Sequence, residues 1–176
     1  HIHLAETMTE FNDIKAQYGK TPVALMNEVG LFEKPVLAAH CVVLEDKDID
    51  ILTEHAVKVV HNPESNMKLA SGIARVADMF AAGIPVALGT DGASSNNNLD
   101  MIQEARTCSL LHKVRHMDPE VIPAYRALEM ATINGARALG LEEVGALKAG
   151  LIADLILVDF RKPHLCPRHD VAAHLV

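Results

Sequence analysis

The chain has 176 residues, 49% hydrophobic and 22% charged, with 16 Lys+Arg against 23 Asp+Glu for a formal charge of −7. That balance describes a globular chain with much buried surface and disfavours intrinsic disorder, which needs low hydrophobicity and high charge. There is no basic cluster to mark a nucleic-acid partner, and no apolar run near the roughly 18–20 residues a membrane span needs. Cys41, Cys108 and Cys166 are odd in number, widely spaced and outside any C-x-x-C pattern. Disulfide scaffolding and thiolate zinc sites are therefore poorly supported, and a reducing cytoplasm is the expected compartment.

In chain order, short β-like runs alternate with helical ones. Residues 1–5 form the first predicted strand. The T-x-x-E spelling of Thr7 to Glu10 is that of a capping box, and Phe11, Ile14 and Tyr18 recur at helical spacing. Thr21-Pro22 opens a second helix, which Gly30 is placed to end. Residues 35–40 read as the next strand, after which Asp46 or Asp48 can cap a short helix carrying Ile49 and Leu52. Residues 57–61 form the third strand, 73–82 a helix stopped by Gly83, and 85–89 the fourth strand. A polar loop over 92–98 leads into a long helix with Leu99, Ile102, Ala105, Cys108 and Leu111 on one face.

Near-continuous apolar strands alternating with helices indicate an α/β fold, a parallel sheet covered by helices. Four such units fill about 115 residues where a complete (β/α)8 barrel takes about 250, so half a barrel is expected. Beyond residue 118 the pattern changes. A helix is predicted over 123–139 with Gly140 at its end, then a strand over 153–159 with no helix after it, and a further strand at the terminal Val176.

In parallel βα folds, functional groups gather at the carboxyl ends of the strands. His3, His40, His61 and Asp91 all stand there. One such histidine is ordinarily structural; four consecutive strand ends carrying His or Asp point to a metal-dependent hydrolase. His1 and His3 share a strand face, so they could form a two-ligand clip, or His3 alone could ligate with Glu6 facing the substrate. The blander alternatives are a solvated helix-start carboxylate for Glu6, a turn residue for Asp91 and a local turn at His61-Asn62-Pro63. His55, His112, His116, His164, His169 and His174 lack strand-end context and are expected at the surface.

Four motifs, H-x-H-x-x-E-T from His1, A-A-H-C ending at Cys41, H-N-P-x-S-N-x-K-L from His61 and G-T-D-G-A-S-S-N-N-N-L-D from Gly89, occur in this order. They resemble the amidohydrolase superfamily. Within it they look like the methylthioadenosine/S-adenosylhomocysteine deaminases, relatives of the chlorohydrolase-type and guanine deaminases. The resemblance spans essentially the whole chain, including Gly150 to Leu155, which is similar to the re-entry strand of the family's small β-sandwich. It implies that residues 1–140 are the C-terminal half of the barrel and residues 141–176 part of that sandwich.

The resemblance also implies one divalent metal held by His3 and Asp91. Zinc is the expected ion, with Fe, Mn or Ni compatible with the same ligand types. His40 would orient or polarise the water, Asp91 would also act as general base, and Glu6 would carry protons to the substrate; Glu6 and Asp91 would both touch it. Ser95 is a weaker candidate for substrate contact, and His1 would not be a ligand. The implied reaction is hydrolytic deamination of an adenine nucleoside, methylthioadenosine or S-adenosylhomocysteine, to the inosine analogue and ammonia. The alternatives are another amidohydrolase activity of the guanine deaminase or chlorohydrolase type, or a non-catalytic scaffold module that keeps the fold. The family's first four strands and its two-His clip would be missing. With two ligands where a catalytic zinc site uses about three, the chain alone is expected to be inactive and to bind metal weakly. The unpaired edges of a half barrel are expected to drive self-association or to need a companion segment.

Overall fold

A computed structural model describes residues 1–176. Four short strands, β1 (Ile2–Leu4), β2 (Leu37–His40), β3 (Lys58–His61) and β4 (Val86–Leu88), pair in the order β1-β2-β3-β4, each parallel to its neighbour. Parallel neighbours need a crossover, and helices supply every one. Those helices are α1 (Met8–Tyr18) and α2 (Pro22–Glu28), then α3 (Asp46–Glu54), then α4 (Pro63–Lys68) and α5 (Val76–Ala81). After β4 follow α6 (Ala93–Asn96), α7 (Met101–His116), α8 (Ala124–Ala131), α9 (Ile133–Ala138) and α10 (Val171–Leu175). This is the expected α/β arrangement, half of an eightfold barrel.

The register sorts the strand residues onto two faces. Leu4, Ala38, Val59, Val86 and Leu88 point into a core shared with Val23, Leu52, Val76, Met79, Ala105 and Met130 from the helices. Burying a side chain such as Val59 or Met79, both 0% exposed, contributes roughly 1.5–3 kcal/mol. The opposite face presents His3, Ala39, Val60 and Ala87, which line a cavity of about 460 Å³. The outer sides of β1 and β4 have no strand neighbour.

Several predicted boundaries are corrected. Thr7 caps α1, accepting from the Glu10 N–H, but the Glu10 carboxylate does not return to Thr7; it accepts from the N–H groups of Ala5 (2.9 Å) and Glu6 (2.7 Å). Glu45, rather than Asp46 or Asp48, stands at the cap of α3, and Asp48 accepts from its N–H at 2.8 Å. The helix predicted over 73–82 begins only at Val76, and the polar loop over 92–98 contains the turn of α6. The buried side of α7 is Glu104, Ala105, Cys108, Ser109 and His112, while Leu99 and Ile102 are exposed. The helix predicted over 123–139 is two helices, because Thr132 leaves the helical region at φ −128, ψ −94.

Residues 153–159 form no strand, since extended backbone needs a neighbour to take its N–H and C=O groups and none is present. The terminal residues close as α10 instead of a strand. No helix is long and apolar enough to cross a membrane.

Candidate metal centre

At the carboxyl edge of the sheet the backbone repeatedly takes the left-handed conformation that non-glycine residues rarely adopt: Ala5 (φ 51), His40 (φ 74), Cys41 (φ 46) and Asp91 (φ 60). These residues follow or end β1, β2 and β4, so three strands turn sharply at the same level. His40 pairs in register with Leu4, a core-facing position. Its left-handed backbone swings the ring out of the core and onto His3, the two ring centroids lying 5.2 Å apart.

The result is a cluster. Ligand atoms of His3, His40 and Asp91 all lie within 4.8 Å of one another, with His3 Nε2 3.8 Å from Asp91 Oδ1. In tetrahedral coordination with bonds near 2.0–2.1 Å, ligand atoms sit roughly 3.3 Å apart, so small side-chain movements bring this set onto one cation. His40 is fully buried, yet its Nε2 has no hydrogen-bond partner and faces Glu6 Oε2 at 3.8 Å. Two imidazoles and a carboxylate suit a borderline divalent ion. His1 stacks on His3 with centroids 6.1 Å apart, as strand period dictates, and lies outside the cluster.

Asp91 is held from one side. Ser65 Oγ and Ser95 Oγ both donate to its Oδ2, at 2.8 and 2.6 Å, leaving Oδ1 toward His3. Partial burial acts to raise the carboxyl pKa. The hydrogen bonds from Ser95, Ser65 and the Gly92 N–H, with the nearby His40 ring, outweigh it and hold Asp91 below the ordinary carboxylate value. Asp91 is therefore ionised at neutral pH, as both a ligand and a proton acceptor must be. Ser95, considered for substrate contact, is buried with its hydroxyl on Asp91. Glu6, 23% exposed at the side chain, is fixed at its backbone by the Glu10 carboxylate.

His61 takes a different course from His40. It pairs in register with Leu88 and keeps the core-facing direction, meeting His112 of α7 with Nε2 to Nε2 3.3 Å. His112, expected at the surface, is 0% exposed. Burial first, then the neighbouring His112 and His40 rings, depress His61 well below the usual histidine range, and burial pushes His112 down to about 4. Cys108, beside them, is driven by burial up to about 12. Two neutral imidazoles and an un-ionised thiol form a hydrogen-bonded core pair with a small neighbour. The amphipathic pattern of α7 did not reveal this, because Glu104, Ser109 and His112 share its buried side.

A parallel βα half barrel with imidazole and carboxylate groups converging at the strand ends has the build of a metal-dependent barrel hydrolase. The chain belongs to the amidohydrolase family, whose model matches residues 1–176. It is 61% identical over 176 residues to a Pelotomaculum thermopropionicum protein named 5-methylthioadenosine/S-adenosylhomocysteine deaminase, covering 100% of this chain and 41% of that protein. Among solved structures it resembles an adenosine deaminase from Xanthomonas campestris with bound zinc (TM-score 0.95, 40% identity), covering 99% of this chain and 40% of that one. It also resembles a zinc-complexed atrazine chlorohydrolase from Arthrobacter aurescens (TM-score 0.91, 26% identity), over 98% of this chain and 38% of that one. The chain thus spans about two-fifths of the length of the relatives it matches.

Proposed function

We propose that the full-length protein is a zinc-dependent hydrolase that converts methylthioadenosine or S-adenosylhomocysteine to the inosine analogue and ammonia. The observation that carries this reading is the convergence of His3, His40 and Asp91, with Glu6 beside them, in a chain so similar to a protein of that name. His3 and Asp91 would hold the cation, which when bound would supply Lewis acidity and lower the pKa of water. Asp91 accepts the proton that the attacking water loses. His40 directs its free Nε2 at that water. Glu6 protonates a purine ring nitrogen and then helps the amine leave as ammonia. The carbon–oxygen bond forms first, and the carbon–nitrogen bond then breaks as the amine takes up a proton and leaves as ammonia, with no redox change.

Residues 1–140 serve as part of the barrel and 141–176 as part of the small sandwich. With three candidate donors in the strand-end cluster, the 176-residue chain by itself binds zinc weakly and turns over no substrate, and its two unpaired sheet edges favour self-association. The unpaired thiols suit a reducing cytoplasm.

The test is substrate profiling of the full-length protein by ammonia release and chromatography. Inosine-type products from either adenine nucleoside are expected, and Asp91→Ala should abolish them. Turnover confined to guanine or to a chlorotriazine would replace this reading with another amidohydrolase activity.

A further inference from the structure

The H-N-P-x-S-N-x-K-L motif supplies no member of the His3, His40 and Asp91 cluster, yet its residues contact two of the three strand ends that do. In the sheet order, β3 lies between β2 and β4. The helix that leaves β3 is therefore flanked by both neighbouring strand ends. Pro63 opens α4 directly after the strand, as its fixed φ suits the first helical position. Successive helical residues then project about 100° apart, so Ser65 and Asn66 reach opposite neighbours. Ser65 Oγ donates to Asp91 Oδ2 at 2.8 Å, while Asn66 Oδ1 lies 2.9 Å from His40 Nδ1. Both residues are 0% exposed. One turn further on, Lys68 Nζ donates to the Ser94 carbonyl and Asn97 Oδ1, each at 2.6 Å, tying down the loop that carries Asp91. From behind, Glu64 accepts from Gln103 and Thr107 of α7, both at 2.8 Å.

We propose that α4 is the positioning element of the metal centre, with Ser65 selecting the free oxygen of Asp91 and Asn66 selecting the tautomer of His40. A hydroxyl on Oδ2 turns Oδ1 toward His3. An amide oxygen at Nδ1 requires the proton on that nitrogen, and in the neutral tautomer this places the lone pair on Nε2, the ring atom that faces Glu6. The two residues set both groups through one short helix, so the distance between them is fixed by one rigid body. The assignment rests on reading His3 and Asp91 as the metal ligands, but its tests do not require turnover.

The tautomer is read by nitrogen-15 NMR of metal-free, histidine-labelled full-length protein. His40 should carry its proton on Nδ1 in the wild type and in Asn66→Asp, which keeps the acceptor, and lose that preference in Asn66→Leu. Zinc affinity, measured by competition with a chromophoric chelator, should fall about 10–100-fold in Ser65→Ala and stay near wild type in Ser65→Thr. A His40 protonated on Nε2 in the wild type overturns the role of Asn66, whether or not the variants fold. Unchanged zinc affinity in a folded Ser65→Ala overturns the role of Ser65. The expected tautomer and affinities in a protein that deaminates no purine would refute the proposed function and leave the positioning role standing.

Discussion

Glu104 offers a test of how burial and hydrogen bonding compete behind the site. It sits in the first turn of α7 with 0% exposure. One oxygen accepts from the Glu64 N–H at 3.2 Å and the other from the Asn96 side-chain amide. Burial is the largest influence and raises its pKa from 4.5 to about 7; the Glu64 and Asp91 carboxylates add to it, and the two hydrogen bonds oppose it. A carboxyl whose pKa is raised in the fold contributes stability that is fully present below the unfolded value and is lost as pH climbs through the folded one. The window therefore runs from about 4.5 to about 7. At 1.36 kcal/mol per unit, the loss between pH 5 and pH 8 comes to roughly 2–3 kcal/mol.

Glu104→Gln removes this titration. At pH 5 the protonated acid and the amide each keep one carbonyl acceptor and turn a donor-bearing group toward the second partner, so the two proteins should differ little in stability. At pH 8 the variant should be more stable by roughly 2 kcal/mol. The buried His61 and His112 titrate alike in both proteins and cancel in the difference. With slopes of about 1–3 kcal/mol per molar, urea unfolding of the metal-free chain should show midpoints that coincide at pH 5 and separate by about 1 M at pH 8. A stability difference that does not move in the variant's favour between pH 5 and pH 8 would refute the reasoning: the folded pKa of Glu104 would then not be raised, its hydrogen bonds matching or outweighing its burial.

Three further outcomes are expected. In Gly89→Ala the new Cβ would meet Val60 Cγ1 at 2.7 Å and Asn62 Nδ2 at 2.9 Å, so thermal unfolding should report a loss of about 1–3 kcal/mol. His112→Leu removes the partner of His61 Nε2 and should cost about 1–3 kcal/mol, while His112→Gln, which can still hydrogen-bond, should recover part of it by the same assay. After dialysis, metal analysis of the 176-residue chain should find well under one zinc per chain; tight, stoichiometric zinc that is lost in Asp91→Ala would show that His3, His40 and Asp91 suffice.

What the sequence revealed follows the physics of parallel sheets. Strands buried on both faces read as continuous apolar runs, and the residue just beyond each run is where a βα fold presents chemistry, so His3, His40 and Asp91 stand out. The same pattern cannot separate His40 from His61. Both end a strand in a core-facing register, and only the left-handed backbone at His40 turns one outward. His112 was hidden for a related reason: it faces the core on a helix whose buried side also carries Glu104 and Ser109, which weakens the amphipathic signal. The apolar run over 153–159 is legible as strand-forming, but pairing is a property of a neighbour and no local pattern can supply one.

The sheet order also explains how the work is divided among the strands. A strand at the centre of the four lies closest to both flanking ends, so a helix leaving it can brace two neighbours at once. Val60 already lines the cavity from β3, and a histidine ring from the end of that strand aimed the same way would compete for that space. Gly89, packed against Asn62, shows how little room remains between β3 and β4 at that level. His61 instead turns inward, where burial keeps it neutral and His112 shares its Nε2. The motif beginning at His61 thus acts twice without entering the cluster. Its histidine joins β3 to α7, and its serine and asparagine hold the strand ends on either side.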